Sequence, residues 1–275
     1  MPLTLIPTPI GNLEDITLRA LRVLREADLI ACEDTRTSSV LLRHYDISAP
    51  LVPFHLHNEN RCLPRLLEAL REGKRVAVIS DAGTPGISDP GWILLRRALD
   101  EELEVDALPG PSAVLPAVLL SGLTPHPFLF YGFPPEKPGE RSKLFQSLVP
   151  LPWTLCFYVS PHKAARQLEE MREILGDRRA ALVREISKVH QEALRGRLSE
   201  LLARLEAGLK GEMVLVVEGC PSDMAAVSDE DWRAEANALR EAGKTTKEIV
   251  QEITAGKPVA KNAVKEYLIH AFPSD

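Results

Sequence analysis

The sequence predicts an α/β fold of two domains, followed by a small C-terminal helical module. Short apolar runs of strand length alternate with segments whose apolar residues recur at helical spacing, which is typical of a mostly parallel sheet. Proline and glycine cluster directly after several of these runs, where open parallel sheets bind their ligands. The chain has 275 residues, which is enough for two cores of ordinary size.

The stretch from 76 to 91 is the strongest indication of a ligand site. Residues 76–80 are an apolar, β-branched run, as expected of a strand buried on both faces. The loop that follows contains three glycines, which let a backbone approach a ligand closely, and two prolines, which hold it rigid. We expect Asp81, Thr84 and backbone amides of this loop to bind a small polar molecule. The alternative is a connection without a ligand, although such connections are usually shorter.

Two earlier strands also end in rigid or polar loops. Residues 3–6 run into PTPIGN at 7–12, a turn that exposes backbone groups. Residues 29–32 end in four polar residues at 33–36, which suits a site. The alternative for Asp34 and Thr35 is ordinary helix capping.

The rest of the first half continues the alternation. Strands are predicted at 51–55 and 105–108, and helices at 18–27 after Thr17, at 63–70, at 92–99 and up to Ser121. The strand at 105–108 leads into Pro-Gly-Pro and then Ser112 and Ala113, where a helix start offers free amides and a hydroxyl. No GxGxxG follows the first strand, so the ordinary dinucleotide-binding fingerprint is missing.

A break at residues 123–127 marks the start of the second domain. Strands are predicted at 128–133, 154–159, 180–183 and 213–217, and helices at 163–175 and 198–205. Residues 134–139 are predicted to be a mobile loop, and polar residues follow two strands at 160–163 and 184–188. The predicted domains are residues 1–124, 125–221 and 225–275.

The C-terminal segment has a different character. Helices are predicted at 232–242, 247–254 and 261–271, with tight turns between them. Five lysines accompany them, namely Lys244, Lys247, Lys257, Lys261 and Lys265. This pattern fits a helix-turn-helix-like module that binds nucleic acid. The alternative is a small packing bundle with solvated lysines.

Composition and charge exclude several classes of protein. Hydrophobic residues make up 45% and charged residues 26%, as in soluble globular proteins, and no apolar run could span a bilayer. The net charge of −6 argues against a general nucleic-acid coat. Residues 1–125 account for most of it, with 12 Lys+Arg against 17 Asp+Glu, so basic stretches elsewhere could still contact phosphate. Four scattered cysteines without a CxxC pair indicate no metal site and no disulfide framework. With no signal peptide apparent, we predict a cytoplasmic protein.

Seven motifs in order resemble the tetrapyrrole methylase superfamily, and most closely its small-subunit ribosomal RNA (cytidine-2′-O-)methyltransferase I family. They are LIPTPIGNLEDITLRAL, ACEDTRTS, SDAGTPGISDPG, LPGPSAV, FYGFPP, YVSPHK and REISKVHQE, spread over residues 3–192. The resemblance implies two α/β domains with S-adenosylmethionine in the cleft between them. It also implies a homodimer, for which the apolar strands of the second domain could supply the interface. The implied activity is 2′-O-methylation of a cytidine ribose near the decoding centre of small-subunit (16S) rRNA, in the assembled subunit.

The resemblance also implies site residues. The cofactor-binding positions carried over by motif are Pro7, Asp81, Gly83, Thr84, Ile87, Ser112 and Ala113, to which the resemblance adds Tyr158, Glu212 and Met213 from the second domain. A ribose hydroxyl is a poor nucleophile, and a positioned base adds about 10²–10⁴-fold to the rate. We expect Glu185 or Asp34 to accept the proton, and Arg36 or Lys188 to hold phosphate or tune the base.

Two alternatives remain at this point. One is a tetrapyrrole (porphyrin or corrin precursor) C-methyltransferase, and the other is a non-catalytic RNA-binding factor built on the same fold. Tetrapyrrole methylases resemble one another in a GxGPGD-like first loop, where this chain has PTPIGN. They also do not usually carry the lysine-bearing tail. Both differences favour an RNA substrate over a tetrapyrrole. The intact cofactor loops favour an enzyme over a non-catalytic RNA-binding factor.

Overall fold

The computed structural model describes residues 2–209, 211–220, 229–256 and 261–272. They form two five-stranded sheets with flanking helices and a separate group of three C-terminal helices. The predicted fold class is confirmed. The domain bounds 1–124, 125–221 and 225–275 stay predictions.

The first sheet is entirely parallel, as the sequence predicts. Its strands are β1 (Leu3–Leu5), β2 (Leu29–Cys32), β3 (Leu51–Pro53), β4 (Val76–Ile79) and β5 (Val105–Ala107), in the order β3-β2-β4-β1-β5. Its helices are α1 (Leu18–Glu26), α2 (Thr35–His44), α3 (Glu59–Arg71) and α4 (Trp92–Asp100). Apolar side chains of α1 and α2 cover one face, and those of α3 and α4 cover the other. This two-sided burial explains why the central strands are continuous apolar runs.

The second sheet is mixed. Its strands are β6 (Phe128–Gly132), β7 (Thr154–Val159), β8 (Arg179–Arg184), β9 (Glu192–Arg197) and β10 (Met213–Val217), in the order β6-β7-β10-β8-β9. Only β6 and β7 pair in parallel, and the other three pairings are antiparallel. The apolar strands β7, β8 and β10 are buried within the chain itself, so they are not available as a dimer interface.

Two elements of the second domain were not predicted, namely β9 and the helix α6 (Pro138–Leu148). Strand β9 is a half-exposed edge strand with charged residues, so it lacks an apolar run. Helix α6 begins inside the loop predicted to be mobile. That loop is held in place, because the buried Arg141 donates to the backbone carbonyls of Pro135 and Glu136 at 3.1 and 2.9 Å. The remaining helices here are α7 (Pro161–Leu175) and α8 (Leu198–Glu206).

The helix α5 (Val114–Ser121) joins the two domains. It follows β5 of the first sheet in the chain, yet Val114, Ala117 and Val118 pack on apolar residues of β8 and β10 in the second sheet. The second sheet is therefore covered on one face by a helix from the first half of the sequence. As a result, the N-terminal end of α5 lies between the two domains.

The C-terminal helices are α9 (Asp229–Glu241), α10 (Thr246–Gly256) and α11 (Lys261–Ala271). They share a core of their own around Trp232, Ile253 and Val264. Lys247, Lys261 and Lys265 are exposed, whereas Lys244 pairs with Glu252. Lys257 lies outside the described residues. Among the described residues, no helix is both long and apolar enough to cross a membrane.

Candidate active site

A cavity of about 690 Å³ lies where loops of the first domain face the second sheet. The first domain contributes the loop after β4 and the start of α5, and the second contributes ends of β6, β7 and β10. Eight of the ten residues predicted to bind the cofactor line it: Gly83, Thr84, Ile87, Ser112, Ala113, Tyr158, Glu212 and Met213. Sequence motifs 130 residues apart thus meet in one cavity.

Pro7 and Asp81, the other two predicted residues, are not among the lining residues. Pro7 packs against Gly110, where a β-carbon would lie only 2.8 Å from Cβ of Pro7. The Asp81 carboxylate accepts a hydrogen bond from the backbone N of Asp34 at 3.1 Å. Both residues therefore support the loops that form the wall.

The loop after β4 is fixed by the loop after β1. The backbone groups of Thr8 and Gly83 exchange two hydrogen bonds of 2.9 Å, and the Thr8 hydroxyl donates to the carbonyl of Ser80 at 3.0 Å. Gly83 has a φ of +80°, a conformation that favours glycine. At the far end of the loop, the buried Glu59 carboxylate accepts from the backbone N of Gly91 at 3.0 Å. The wall is consequently a preformed surface.

The start of α5 presents polar groups to the cavity. Ser112 and Ala113 precede the first helical residue, and the Ser112 hydroxyl accepts from the backbone N of Val114 at 3.3 Å. The Thr84 hydroxyl donates to the carbonyl of Pro111 at 3.3 Å, which joins this turn to the loop after β4. The first amides of a helix favour a negatively charged group nearby.

Glu185 and Lys188, two of the predicted catalytic residues, form a cluster with Glu212. Lys188 Nζ donates to Glu185 Oε1 at 3.1 Å and to Glu212 Oε2 at 2.8 Å. The backbone N of Glu212 also donates to Glu185 Oε1 at 2.9 Å. This backbone bond, with help from Lys188, lowers the pKa of Glu185. Partial burial opposes the charge on Lys188, but its bonds to both carboxylates outweigh burial and raise its pKa.

Asp34 and Arg36, the other two predicted catalytic residues, lie at the start of α2. Asp34 caps this helix, because its Oδ1 accepts from the backbone N of Arg36 at 2.8 Å. Its Oδ2 pairs with the exposed Arg36 guanidinium at 2.7 Å. These bonds lower the pKa of Asp34 to about 2. The capping interpretation is thus confirmed, and it does not conflict with a role for Arg36.

The four predicted catalytic residues form two pairs, and among the described residues no hydrogen bond or ion pair joins one pair to the other. Asp34 and Arg36 follow β2 of the first sheet, whereas Glu185 and Lys188 follow β8 of the second. None of the four is among the residues lining the cavity.

Sequence reasoning did not single out Asp89 or Phe133, which also line the cavity. Burial raises the pKa of Asp89 to about 6, and the charges of Glu33 and Asp81 add to the effect. Burial also raises the pKa of Tyr158 to about 12, so its phenol stays protonated. Phe133 is 56% exposed, and its ring contacts that of Tyr158 in a tilted arrangement with 5.3 Å between the ring centroids. The signal for Asp89 was its place in the same proline- and glycine-rich loop as Asp81.

Comparison with known proteins identifies the family. The family model described as Tetrapyrrole (Corrin/Porphyrin) Methylases matches residues 2–202. The chain belongs to the tetrapyrrole methylase family. A curated relative from Streptococcus pyogenes serotype M1, named ribosomal RNA small subunit methyltransferase I, is 46% identical over 222 residues, covering 80% of this chain and 77% of its own. A relative of the same name from Halalkalibacterium halodurans is 40% identical over 270 residues, which cover 95% of this chain and 92% of its own.

A solved structure agrees in fold. The uroporphyrin-III-C-methyltransferase from Thermus thermophilus has a TM-score of 0.58 and 23% identity, covering 79% of this chain and 94% of its own. This family is S-adenosylmethionine-dependent, and the chain is a methyltransferase that uses this cofactor.

The residues in the cavity suit S-adenosylmethionine. Hydroxyl groups of Thr84, Ser88, Ser112 and Ser160 lie among apolar side chains of both domains. The cofactor combines a polar amino-acid portion and ribose with an adenine ring, so it needs both kinds of surface. The start of α5 offers amides for its carboxylate. When bound, the cofactor supplies an electrophilic methyl group.

Proposed function

We propose that this methyltransferase modifies the 2′-hydroxyl of a cytidine ribose in small-subunit ribosomal RNA, near the decoding centre. The observation that carries the proposal is the 40% identity to a ribosomal RNA small subunit methyltransferase I over 95% of this chain. Such coverage extends beyond the methylase domain at residues 2–202 and into the C-terminal helices. A tail shared with this relative supports a common macromolecular substrate.

The cavity wall would hold the cofactor. Thr84 and Ser112 would bind its polar groups, and Ala113 leaves room beside the start of α5. Tyr158 and Met213 would pack on it from the second domain. Because both domains contribute to the wall, the bound donor and acceptor would be aligned in a fixed geometry. Such alignment can account for about 7–11 kcal/mol of barrier lowering.

Exposed groups near the cavity support an RNA substrate. Phe133 presents an aromatic face at the cavity, of the kind that stacks unpaired bases. The Arg36 side chain is 89% exposed, and its guanidinium could hold phosphate alongside its pairing with Asp34. The role of proton acceptor that was assigned to Asp34 or Glu185 stays a prediction. Both are engaged by cations, and their lowered pKa values make them weak bases.

The test is transfer of a radiolabelled methyl group to three substrates: naked rRNA, assembled small subunits and a uroporphyrinogen. We expect labelling of assembled small subunits. After alkaline hydrolysis the label should remain in a dinucleotide, because a 2′-O-methyl group blocks cleavage of the adjacent phosphodiester. Label on the uroporphyrinogen alone would instead identify a tetrapyrrole C-methyltransferase. No transfer to any substrate, together with retained rRNA binding, would point to a non-catalytic RNA-binding factor.

We further propose a homodimer, as the family resemblance implies. An exposed apolar side chain on α5 supports it, since Leu119 is 71% exposed and does not line the cavity. Light scattering should give about twice the chain mass of 30.4 kDa, and Leu119→Lys should lower it. A particle of 30.4 kDa at micromolar concentration would contradict the dimer.

A further inference from the structure

Three residues that line the cavity carry ionisable side chains, and two of them are poorly suited to accept a proton. They are Asp89, Tyr158 and Glu212. Glu212 accepts from Lys188 at 2.8 Å, and its side chain is 77% exposed. Tyr158 keeps its proton because burial raises its pKa to about 12. Asp89 is therefore the carboxylate in the wall that can accept a proton.

Asp89 lies on a rigid part of the loop. Its neighbour Pro90 accepts from the backbone N of Gly86 at 3.1 Å, and the next residue, Gly91, is bound by the buried Glu59. The Ser80 hydroxyl donates to the backbone carbonyl of Gly83 at 3.2 Å, which further fixes the start of this loop. On its other side, Ser88 packs against Gly132 of the second domain. The backbone that carries Asp89 therefore has a defined position in the wall.

Three ionisable groups surround Asp89. Glu33 and Asp81 follow β2 and β4 and are negatively charged, and the neutral phenol of Tyr158 faces it from β7. Partial burial of Asp89, together with these two charges, raises its pKa to about 6. A base whose pKa is near the working pH combines a populated carboxylate with a strong affinity for the proton.

We infer that Asp89 is the proton acceptor for the nucleophilic hydroxyl of the substrate, an inference that rests on the proposed 2′-O-methylation. The hydroxyl oxygen forms a bond to the methyl carbon as its O–H bond breaks and the proton moves to Asp89. The bond between that carbon and sulfur breaks, and its electron pair stays on the now neutral sulfur. Asp89 then returns the proton to water. This role belongs to Asp89 rather than to Asp34 or Glu185, which do not line the cavity.

The first test is Asp89→Asn, which keeps the shape of the side chain and removes the base. We expect kcat on assembled small subunits to fall about 10²–10⁴-fold. The dissociation constants for S-adenosylmethionine and for RNA should stay within about twofold, and thermal unfolding should show a folded protein. The matched control is Asp46→Asn, since Asp46 is exposed and its φ of +53° also suits asparagine. The control should keep full activity.

The second test is Glu33→Gln, which removes one of the charges that raise the pKa of Asp89. The acidic limb of the pH profile of kcat should move to lower pH, a shift that a merely structural role would not produce. An unshifted limb, or Asp89→Asn with full kcat, would overturn the inference. So would a large loss of cofactor affinity with unchanged kcat, which would make Asp89 a cofactor ligand.

The same assays separate this inference from the proposed function. If the wild-type protein methylates a ribose and Asp89→Asn does so equally fast, only the role of Asp89 fails. If the wild-type label is not resistant to alkaline hydrolysis, the proposed function fails and the inference fails with it.

Discussion

Gly11 lies directly against the side chain of Lys188. A β-carbon on Gly11 would lie 2.4 Å from Cγ of Lys188 and 3.1 Å from the carbonyl oxygen of Ile186. The Ser187 hydroxyl also donates to the carboxylate of Asp15. The loop after β1 is thus packed on the loop after β8, and this contact joins the two domains beside the Glu185–Lys188–Glu212 cluster.

Gly11→Ala should therefore destabilise the protein. The added methyl group must displace Lys188 and the backbone near Ile186, and such overpacking costs about 1–3 kcal/mol. Urea unfolding measures the loss. Gly139→Ala is the matched control, because a β-carbon there meets nothing within 4 Å. In a Lys188→Ala background the cost of Gly11→Ala should shrink by more than about 0.5 kcal/mol. Equal costs in both backgrounds would mean that the two residues do not interact.

Ala113→Trp should weaken binding of S-adenosylmethionine at least tenfold, because the bulky ring would fill part of the cavity at the start of α5. Calorimetry without RNA should show one site per chain in the wild-type protein. Asp81→Ala should weaken binding less, since Asp81 acts through its bond to the backbone of Asp34. Ala203→Trp, on the exposed face of α8, is the control. Unchanged affinity in both Ala113→Trp and Asp81→Ala would remove the cofactor from this cavity.

Asp89→Asn should stabilise the protein at neutral pH. The folded state raises the pKa of Asp89 from 3.8 to about 6, so the native state binds this proton more tightly than the unfolded state does. The wild-type protein consequently loses stability as pH rises from about 4 to about 6, and Asn avoids that loss. We expect a gain of about 1–2 kcal/mol at pH 8, because Asp89 is only partly buried, and little gain at pH 4. Urea unfolding at both pH values tests this, and a pH-independent gain would contradict it.

Deleting the chain after residue 224 should separate cofactor binding from RNA binding. The C-terminal helices share a core of their own, so the two α/β cores keep their contacts. Cofactor affinity should stay nearly intact, while activity on small subunits should fall sharply and the salt dependence of RNA binding should become shallower. A tail that only packs against the body predicts lost thermal stability with unaltered RNA affinity per folded molecule. Full methylation by the folded, truncated protein would refute the RNA-binding role.

Replacing Lys257, Lys261 and Lys265 with alanine should act in the same direction but less severely. Lys261 and Lys265 are exposed one turn apart on α11, where they could bind phosphate together. The slope of log affinity against log salt should fall by about 1 for each phosphate group that the variant no longer neutralises. Lys74→Ala with Lys143→Ala is the control, since both lysines are exposed on the body of the protein. An equal change in slope in the control would show a general charge effect.

The sequence by itself determined the five strands of the first domain, most of its helices and the loops that carry its site, although helix α2 was not predicted. Residues 76–80 and 29–32 are recognisable because burial on both faces demands continuous apolar runs. Thr17 and Asp34 are recognisable because a helix start needs a side-chain acceptor, and both side chains make that bond. These requirements are local, so they can be recognised from the pattern of neighbouring residues.

Only the tertiary structure decided which side chains face the cavity. Asp81 and Asp89 are both aspartates of the same loop. Asp89 nevertheless lines the cavity, whereas the Asp81 carboxylate accepts a hydrogen bond from the backbone N of Asp34. Likewise, α5 follows the first sheet in sequence but packs on the second. Both outcomes depend on contacts between residues far apart in the chain. Hydrophobic periodicity reports whether a side chain is buried, but it does not report which distant segment buries it or raises its pKa.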